Sequence, residues 1–298
     1  MLDLKADRET TAPKDAATLV AVRDATGTSG GESESGIEIF CVERSKASRF
    51  LGGAIVFPGG KVDAADLDAR WMTSVSHISP RTALFAPDPD TARALAIAAS
   101  REALEEAALL PVSGGKISHH DLLALRKRAE TEPSAILEEL ERRGLVLDLA
   151  ALEPLSRWLT PVAEARRYDT RFFIVRAPEG QPGAHDDHET MSSFWASPKK
   201  LLARFDAGEV QLAPPTHRTL EILARAATVD EAFAIARNAS LETICPELVK
   251  QTVAGSETMA LVLPGDPEHS VQDSRIAGKT RFVLRDGRFV PDDAPTKI

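Results

Sequence analysis

The chain has 298 residues, of which 43% are hydrophobic and 27% charged, with a net charge of −9. That suits one large soluble domain or two small ones, and an acidic chain does not draw nucleic acid by its overall field. No apolar run reaches the length of a membrane span and the N-terminus lacks a signal pattern, so the expectation is a cytoplasmic protein with neither a nucleic-acid nor a membrane partner.

Residues 1–15 are polar and read as a loose arm. Ala17 to Arg23 and Ile37 to Val42 read as two strands of a hairpin around a Gly/Ser/Thr/Glu-rich loop. Cys41 and Cys245 form no paired motif and read as reduced thiols. Phe57-Pro58-Gly59-Gly60-Lys61 reads as a Gly-rich turn. The pattern is irregular from Asp66 to Asp90. A helix then starts at Asp88-Pro89, with Asp as N-cap and Pro at the first helical position. The run that follows is rich in Ala, Leu and Glu and mostly apolar, so it should be buried.

Residues 119–145 read as one or two charged helices broken near Pro133, and Thr170 to Arg176 as a strand. Residues 180–190 form a polar loop in which His185 and His188 straddle Asp186-Asp187; exposed histidines are the commoner reading there. Phe172, Phe173 and Trp195 read as core. Helices are expected over Pro198 to Phe205, Thr219 to Ala227 and Val229 to Ala239. Asp286-Gly287 marks a hairpin near the end. Interspersed strands and helices give a mixed, α+β class.

The chemistry is concentrated in the buried helix. Glu102, Glu105 and Glu106 are spaced i, i+3, i+4 and share one face. Three carboxylates so close repel one another, and only Arg101 is adjacent. A hard divalent cation, Mg²⁺ or Mn²⁺, would offset that repulsion. The carboxylates alone would equally fit a solvated acidic patch.

The upstream residues shift that balance. Gly60, five residues, then Asp66, with Arg101-Glu102-Ala103-Leu104-Glu105-Glu106-Ala107-Ala108-Leu109 downstream, resembles the Nudix box. Asp66 stands where the family usually has Glu, Ala108 where it usually has Gly, and the spacer between Asp66 and Arg101 is much longer than the family's. Ala does not sit easily in a left-handed turn, so the helix is expected to continue through Ala108. The insertion, 67–90, is expected to be an excursion beside an intact site.

Arg44-Ser45, Arg49, Gly53 and Phe57-Pro58-Gly59-Gly60 also resemble, in spacing, a motif of Nudix hydrolases that cleave coenzyme A. The Leu-Leu-Thr that precedes that motif is replaced here by Phe40-Cys41-Val42. Trp158-Leu159-Thr160-Pro161, Arg166 to Phe173 and Leu212 to Thr216 resemble the branch typified by the peroxisomal acyl-coenzyme A diphosphatases, which has a similar insertion.

The resemblance implies a Nudix fold, a mixed β-sheet sandwiched between α-helices. The domain would span 16–224, with a helical insert at 112–150. Residues 225–298 would form a C-terminal extension of helices and a hairpin packed on it. It implies that Glu102, Glu105 and Glu106 bind Mg²⁺ or Mn²⁺, aided by a backbone oxygen of Gly59 or Gly60. Arg101 either fixes a glutamate by a salt bridge, which the family favours, or touches phosphate. The general base is Glu105 or Glu189, the latter equally readable as a solvated loop carboxylate.

Arg44 and Arg49 would meet substrate phosphates, since a guanidinium binds phosphate bidentately; a surface arginine is the alternative for each. The substrate would be a small diphosphate of the coenzyme A kind. Two alternatives stand: another Nudix diphosphatase acting on ADP-ribose, a dinucleotide or a nucleotide sugar, and a non-catalytic Nudix-like binding module. A homodimer is compatible with the family, and 67–90 and 112–150 stand as either cover for the site or dimer contact.

Overall fold

A computed structural model describes residues 11–25, 36–45, 53–185, 190–253 and 256–294. In chain order the strands of its first part are β1 (Lys14–Asp24), β2 (Ile37–Arg44), β3 (Ile55–Val56) and β4 (Gly59–Lys61). The helices α1 (Trp71–Ser74) and α2 (Pro89–Ala107) follow. Next come β5 (Val112–Ser113), α3 (His119–Ala129), α4 (Ala135–Arg143) and β6 (Val146–Leu147). The chain continues through β7 (Glu153–Leu159), β8 (Tyr168–Arg176), β9 (Thr190–Ala196), α5 (Pro198–Asp206), α6 (Pro214–Leu223) and α7 (Val229–Asn238). It closes with β10 (Thr243–Ile244), β11 (Glu247–Val253), β12 (Ser256–Val262), β13 (Arg281–Arg285) and β14 (Arg288–Asp292).

The main sheet runs β10-β7-β8-β1-β2-β3, with β4 on β1 and β9 on β2. It is mixed, because β1 pairs with β8 in parallel and with β2 and β4 antiparallel. β1 begins at Lys14, so the end of the stretch read as an arm is already strand. Its seven central residues are buried, as expected of a strand covered on both faces. Successive side chains point to opposite faces. Leu19 and Ala21 join Phe40, Phe173 and the α2 residues Leu95 and Leu104 in one core. Val20 and Val22 join Ile39, Ile174 and the α6 residues Leu220 and Leu223 in the other. This is the expected sandwich.

The insertion is an ordered strap. Trp71 donates from Nε1 to Ala65 O at 2.9 Å. Phe85 packs edge-on against Phe173, with ring centroids 5.3 Å apart. Arg81 donates to Glu153 at 2.8 Å and to the carbonyls of Ala236 and Ala239 at 3.1 Å, tying the strap to β7 and to the end of α7. Beyond α7, β11-β12-β13-β14 form an antiparallel sheet larger than the expected hairpin. The β13–β14 turn is at Asp286-Gly287, both at positive φ. Leu261, Leu263 and Phe282 of this region share a core with Phe205 and Leu220. No helix among the described residues is long and apolar enough to cross a membrane.

Candidate active site

α2 carries the carboxylates. Asp88 caps it, accepting from Thr91 N–H at 2.8 Å, and Pro89 opens its first turn. Thirteen residues later the helix presents Arg101 and then the three glutamates. The Gly-Gly pair upstream is not a turn but strand β4: Gly59 pairs with Thr18 and Gly60 with Ala17 of β1. Both glycines are needed for closeness. A Cβ on Gly59 would come within 2.6 Å of Ala17 O, and one on Gly60 would overlap the Glu102 carboxylate. Gly59 N–H donates to Glu106 Oε2 at 3.1 Å, so this backbone approaches the helix as a donor to a carboxylate.

Arg101 is buried, at 8% exposure, and is the organising charge. It grips Asp66 with two bonds, Nε to Oδ1 at 2.9 Å and Nη2 to Oδ2 at 3.0 Å. Nη2 also donates to Lys61 O at 2.9 Å. Nη1 bridges Glu102 Oε1 at 2.9 Å and Glu105 Oε2 at 3.0 Å. Of the two readings for Arg101, this geometry is the salt bridge. Asp66, absent from the expected site residues, is its bidentate anchor. Asp66 is itself 2% exposed and also accepts from Asp63 N–H at 2.8 Å. It occupies the acidic position of the box-like pattern.

Charge does not balance here. Asp66, Glu102 and Glu105 share one guanidinium, and Glu106 follows on the same helix face. Burial pushes the Glu102 carboxyl up to about 7, because the pull of Arg101 only partly offsets desolvation and the neighbouring Glu105 adds to it. Burial likewise raises Glu105. Burial opposes the charge on Arg101, but the Asp66 hydrogen bond and the surrounding carboxylates hold its pKa above the ordinary arginine value. An excess of buried carboxylate oxygens held on one rigid helix fits a hard divalent cation. Among the described residues no three His, Cys, Asp or Glu side chains already converge in a ligand cluster; Arg101 is the cation that Glu102 and Glu105 face.

Arg44 ends β2. Its N–H donates to Ala54 O at 3.0 Å and its carbonyl accepts from Gly53 N–H at 3.1 Å. Gly53 has φ 76°, a conformation suited to glycine. Arg44 also pairs in register with Thr190 of β9. Arg49 and Glu189 lie outside the described residues. The clearest cavities, about 200 Å³ between Trp71 and Pro133 and about 310 Å³ between Pro111 and Arg176, do not include the glutamates. Charge and hydrogen bonding around Arg101 mark the candidate site.

One expectation is overturned. The helix does not run on through Ala108, which caps it at φ 51° and ψ 41° in the left-handed region. The family's turn is kept although its glycine is not.

Residues 13–223 match the family model for the NUDT19 Nudix domain, and the chain belongs to that family of Nudix hydrolases. It is 29% identical to the acyl-coenzyme A diphosphatase NUDT19 of Gallus gallus, over 86% of this chain and 78% of that protein. It is 27% identical to the Homo sapiens protein of the same name, over 85% of this chain and 79% of the other. A crystal structure of a Nudix hydrolase from Alicyclobacillus acidocaldarius superposes with a TM-score of 0.62 at 29% identity, covering 75% of this chain and 96% of that one.

Proposed function

We propose that the chain hydrolyses the diphosphate of coenzyme A or an acyl-coenzyme A, giving the (acyl-)phosphopantetheine and adenosine 3′,5′-bisphosphate. The reading rests on the Arg101-organised carboxylate helix, joined to relatives named acyl-coenzyme A diphosphatase. Glu102, Glu105 and Glu106 would hold Mg²⁺ or Mn²⁺. Such an ion neutralises the diphosphate and helps ionise an attacking water.

The chain's own groups do the remaining work. Asp66 fixes Arg101, and Arg101 fixes Glu102 and Glu105. Gly59 N–H fixes Glu106. Glu105 is the most open of the charged groups bound to Arg101 on this helix, its side chain 31% exposed against 13% for Glu102. With Oε2 held by Arg101, Oε1 would be the oxygen that takes the proton of the water. Glu189 is the other candidate for that role. Arg44 and Arg49 would bind phosphate groups of the coenzyme in this reading.

A substrate panel tests it: coenzyme A, acyl-coenzyme A, ADP-ribose, dinucleotides and nucleoside triphosphates with Mg²⁺ and with Mn²⁺, products identified by mass. Coenzyme A species should be cleaved fastest, and Arg44→Ala should weaken their turnover by about tenfold, more than it weakens that of ADP-ribose. Equal losses on both would remove the coenzyme A assignment.

A further inference from the structure

The last turn of α2 ends on a residue poorly suited to its backbone. Ala108, two positions beyond Glu106, has φ 51°, a region that a Cβ resists and glycine enters freely. Its N–H closes back on Leu104 O at 2.9 Å, and Leu109 N–H on Ala103 O at 3.1 Å. The first is the bond of an ordinary left-handed helix stop, and the second reaches one residue further back than such a stop does. Further bonds come from a distant segment. Gln181 is buried, at 6% exposure, and grips Leu110 with both ends of its amide. Leu110 N–H donates to Oε1 at 2.8 Å, and Nε2 donates to Leu110 O at 3.0 Å. Ala184 N–H donates to Ala107 O at 2.7 Å. The left-handed residue is therefore held on both sides.

The holding segment is itself fixed. Arg126 of α3 donates from Nη1 to Ala184 O at 3.1 Å and to His185 O at 2.9 Å. Trp195 Nε1 donates to Pro182 O at 2.7 Å. Gly183, at φ 81°, sits where a Cβ would overlap the Phe40 ring. An amide suits the role of Gln181 because it offers a donor and an acceptor side by side. A carboxylate lacks the donor and an aliphatic chain lacks both.

We propose that Gln181 is a positioning residue for the carboxylate helix: its amide holds the left-handed exit at Ala108 that a glycine would take unaided, and so sets the last turn from which Glu105 and Glu106 project. The proposal rests on the reading that these carboxylates serve catalysis. The test uses Q181L and Q181N, each made in the natural chain and in an A108G background. Two measurements are taken: kcat and KM on the best substrate of the panel, and hydrogen exchange of the Leu109 and Leu110 amides.

In the natural background kcat should fall about tenfold with KM changed by less than about twofold. In the A108G background the loss should shrink to about twofold or less. Exchange at Leu110 should quicken in both Q181 variants. A purely structural role would lower folded yield and melting temperature alike in both backgrounds, without this kcat dependence on residue 108. An unchanged kcat, equal losses in the two backgrounds, or unchanged exchange would overturn the proposal. Should Q181L not fold, Q181N carries the same comparison on a shorter amide. The exchange measurement needs no substrate, so it separates a failure of this inference from a failure of the coenzyme A reading.

Discussion

Two buried arginines organise the two ends of this molecule, and they differ in how many carboxylates share the buried charge. Arg281 of β13 is fully buried and pairs bidentately with Asp266, also fully buried, at 3.1 and 2.7 Å. Its remaining donors meet Glu268 and Gln251. Burial alone would raise the Asp266 carboxyl, but the Arg281 hydrogen bonds hold it below the usual carboxylate range. Arg101 makes the same bidentate grip on Asp66 but shares its charge with two more glutamates, and burial wins at Glu102. One cluster is a fully buried ion pair whose second carboxylate, Glu268, lies half-exposed at its edge, and it serves the fold. The other carries surplus negative charge on a rigid face, a state that fits a site designed to receive a cation. The lesson is that a buried arginine is informative only when its counter-charges are counted.

Neutralising a carboxylate should separate the two. Glu102→Gln removes a repelling charge, so unfolding in urea should show stability unchanged or slightly higher. Hydrolysis should fall at least about a thousandfold, roughly 4 kcal/mol of barrier. A large loss of stability in this variant would end the view that the site is over-charged. Arg281→Met should do the reverse. It strands Asp266 in the interior and should lower stability by about 3–5 kcal/mol, while the fraction that remains folded keeps its turnover.

The sign with pH follows from the depressed Asp266 carboxyl. Its contribution is fully present above the ordinary value of 3.8 and is lost as pH falls through the lower folded value. In R281M burial alone raises the stranded carboxyl, so the stability gap between the natural chain and R281M should start to narrow above pH 3.8 and go on narrowing until pH passes the lower folded value of the natural chain, followed by denaturant midpoints across acid buffers. Asp66→Asn sits between these cases. It removes the charge that anchors Arg101 but also relieves crowding, so stability should fall by only about 1–2 kcal/mol. Turnover should fall by about tenfold to a hundredfold as Arg101 loses its fixed position. Full activity in D66N would leave Arg101 without need of its anchor.

Much of the first cluster is legible from residue spacing alone. The i, i+3, i+4 glutamates, the Asp88-Pro89 start and the buried apolar run lie on one helix, where spacing translates directly into a shared face. β4 is not legible that way. Two glycines carry no strand preference, and Gly59 and Gly60 become strand only because β1 offers them a ladder and Glu102 leaves no room for a side chain. β7 lacks a clean alternation, and one of its ladder partners, β10, lies far along the chain. Asp66 was visible as a motif position, but its tie to Arg101 crosses the whole insertion. Gln181 gave no signal at all, being one glutamine in a polar loop whose partner is a backbone seventy-one residues away.

Ala108 gives the smallest and most delicate comparison. Spacing and composition suggested a helix running on, because a Cβ disfavours the left-handed turn by roughly 1–2 kcal/mol. The turn forms regardless, so the contacts around it exceed that penalty. Ala108→Gly relieves the strain but removes a fully buried methyl, worth about 0.8 kcal/mol, and gives the unfolded chain more freedom, worth about 0.4–1 kcal/mol. The opposing terms nearly cancel, and the net change in unfolding free energy should lie within about 0.5 kcal/mol of zero. A gain well above 1 kcal/mol would mean the methyl packs against little and the turn is strained. A comparable loss would mean the pocket around Ala108, and not only the Gln181 amide, holds the end of the carboxylate helix in place. Either sign measures how this chain keeps a glycine's turn with an alanine in it.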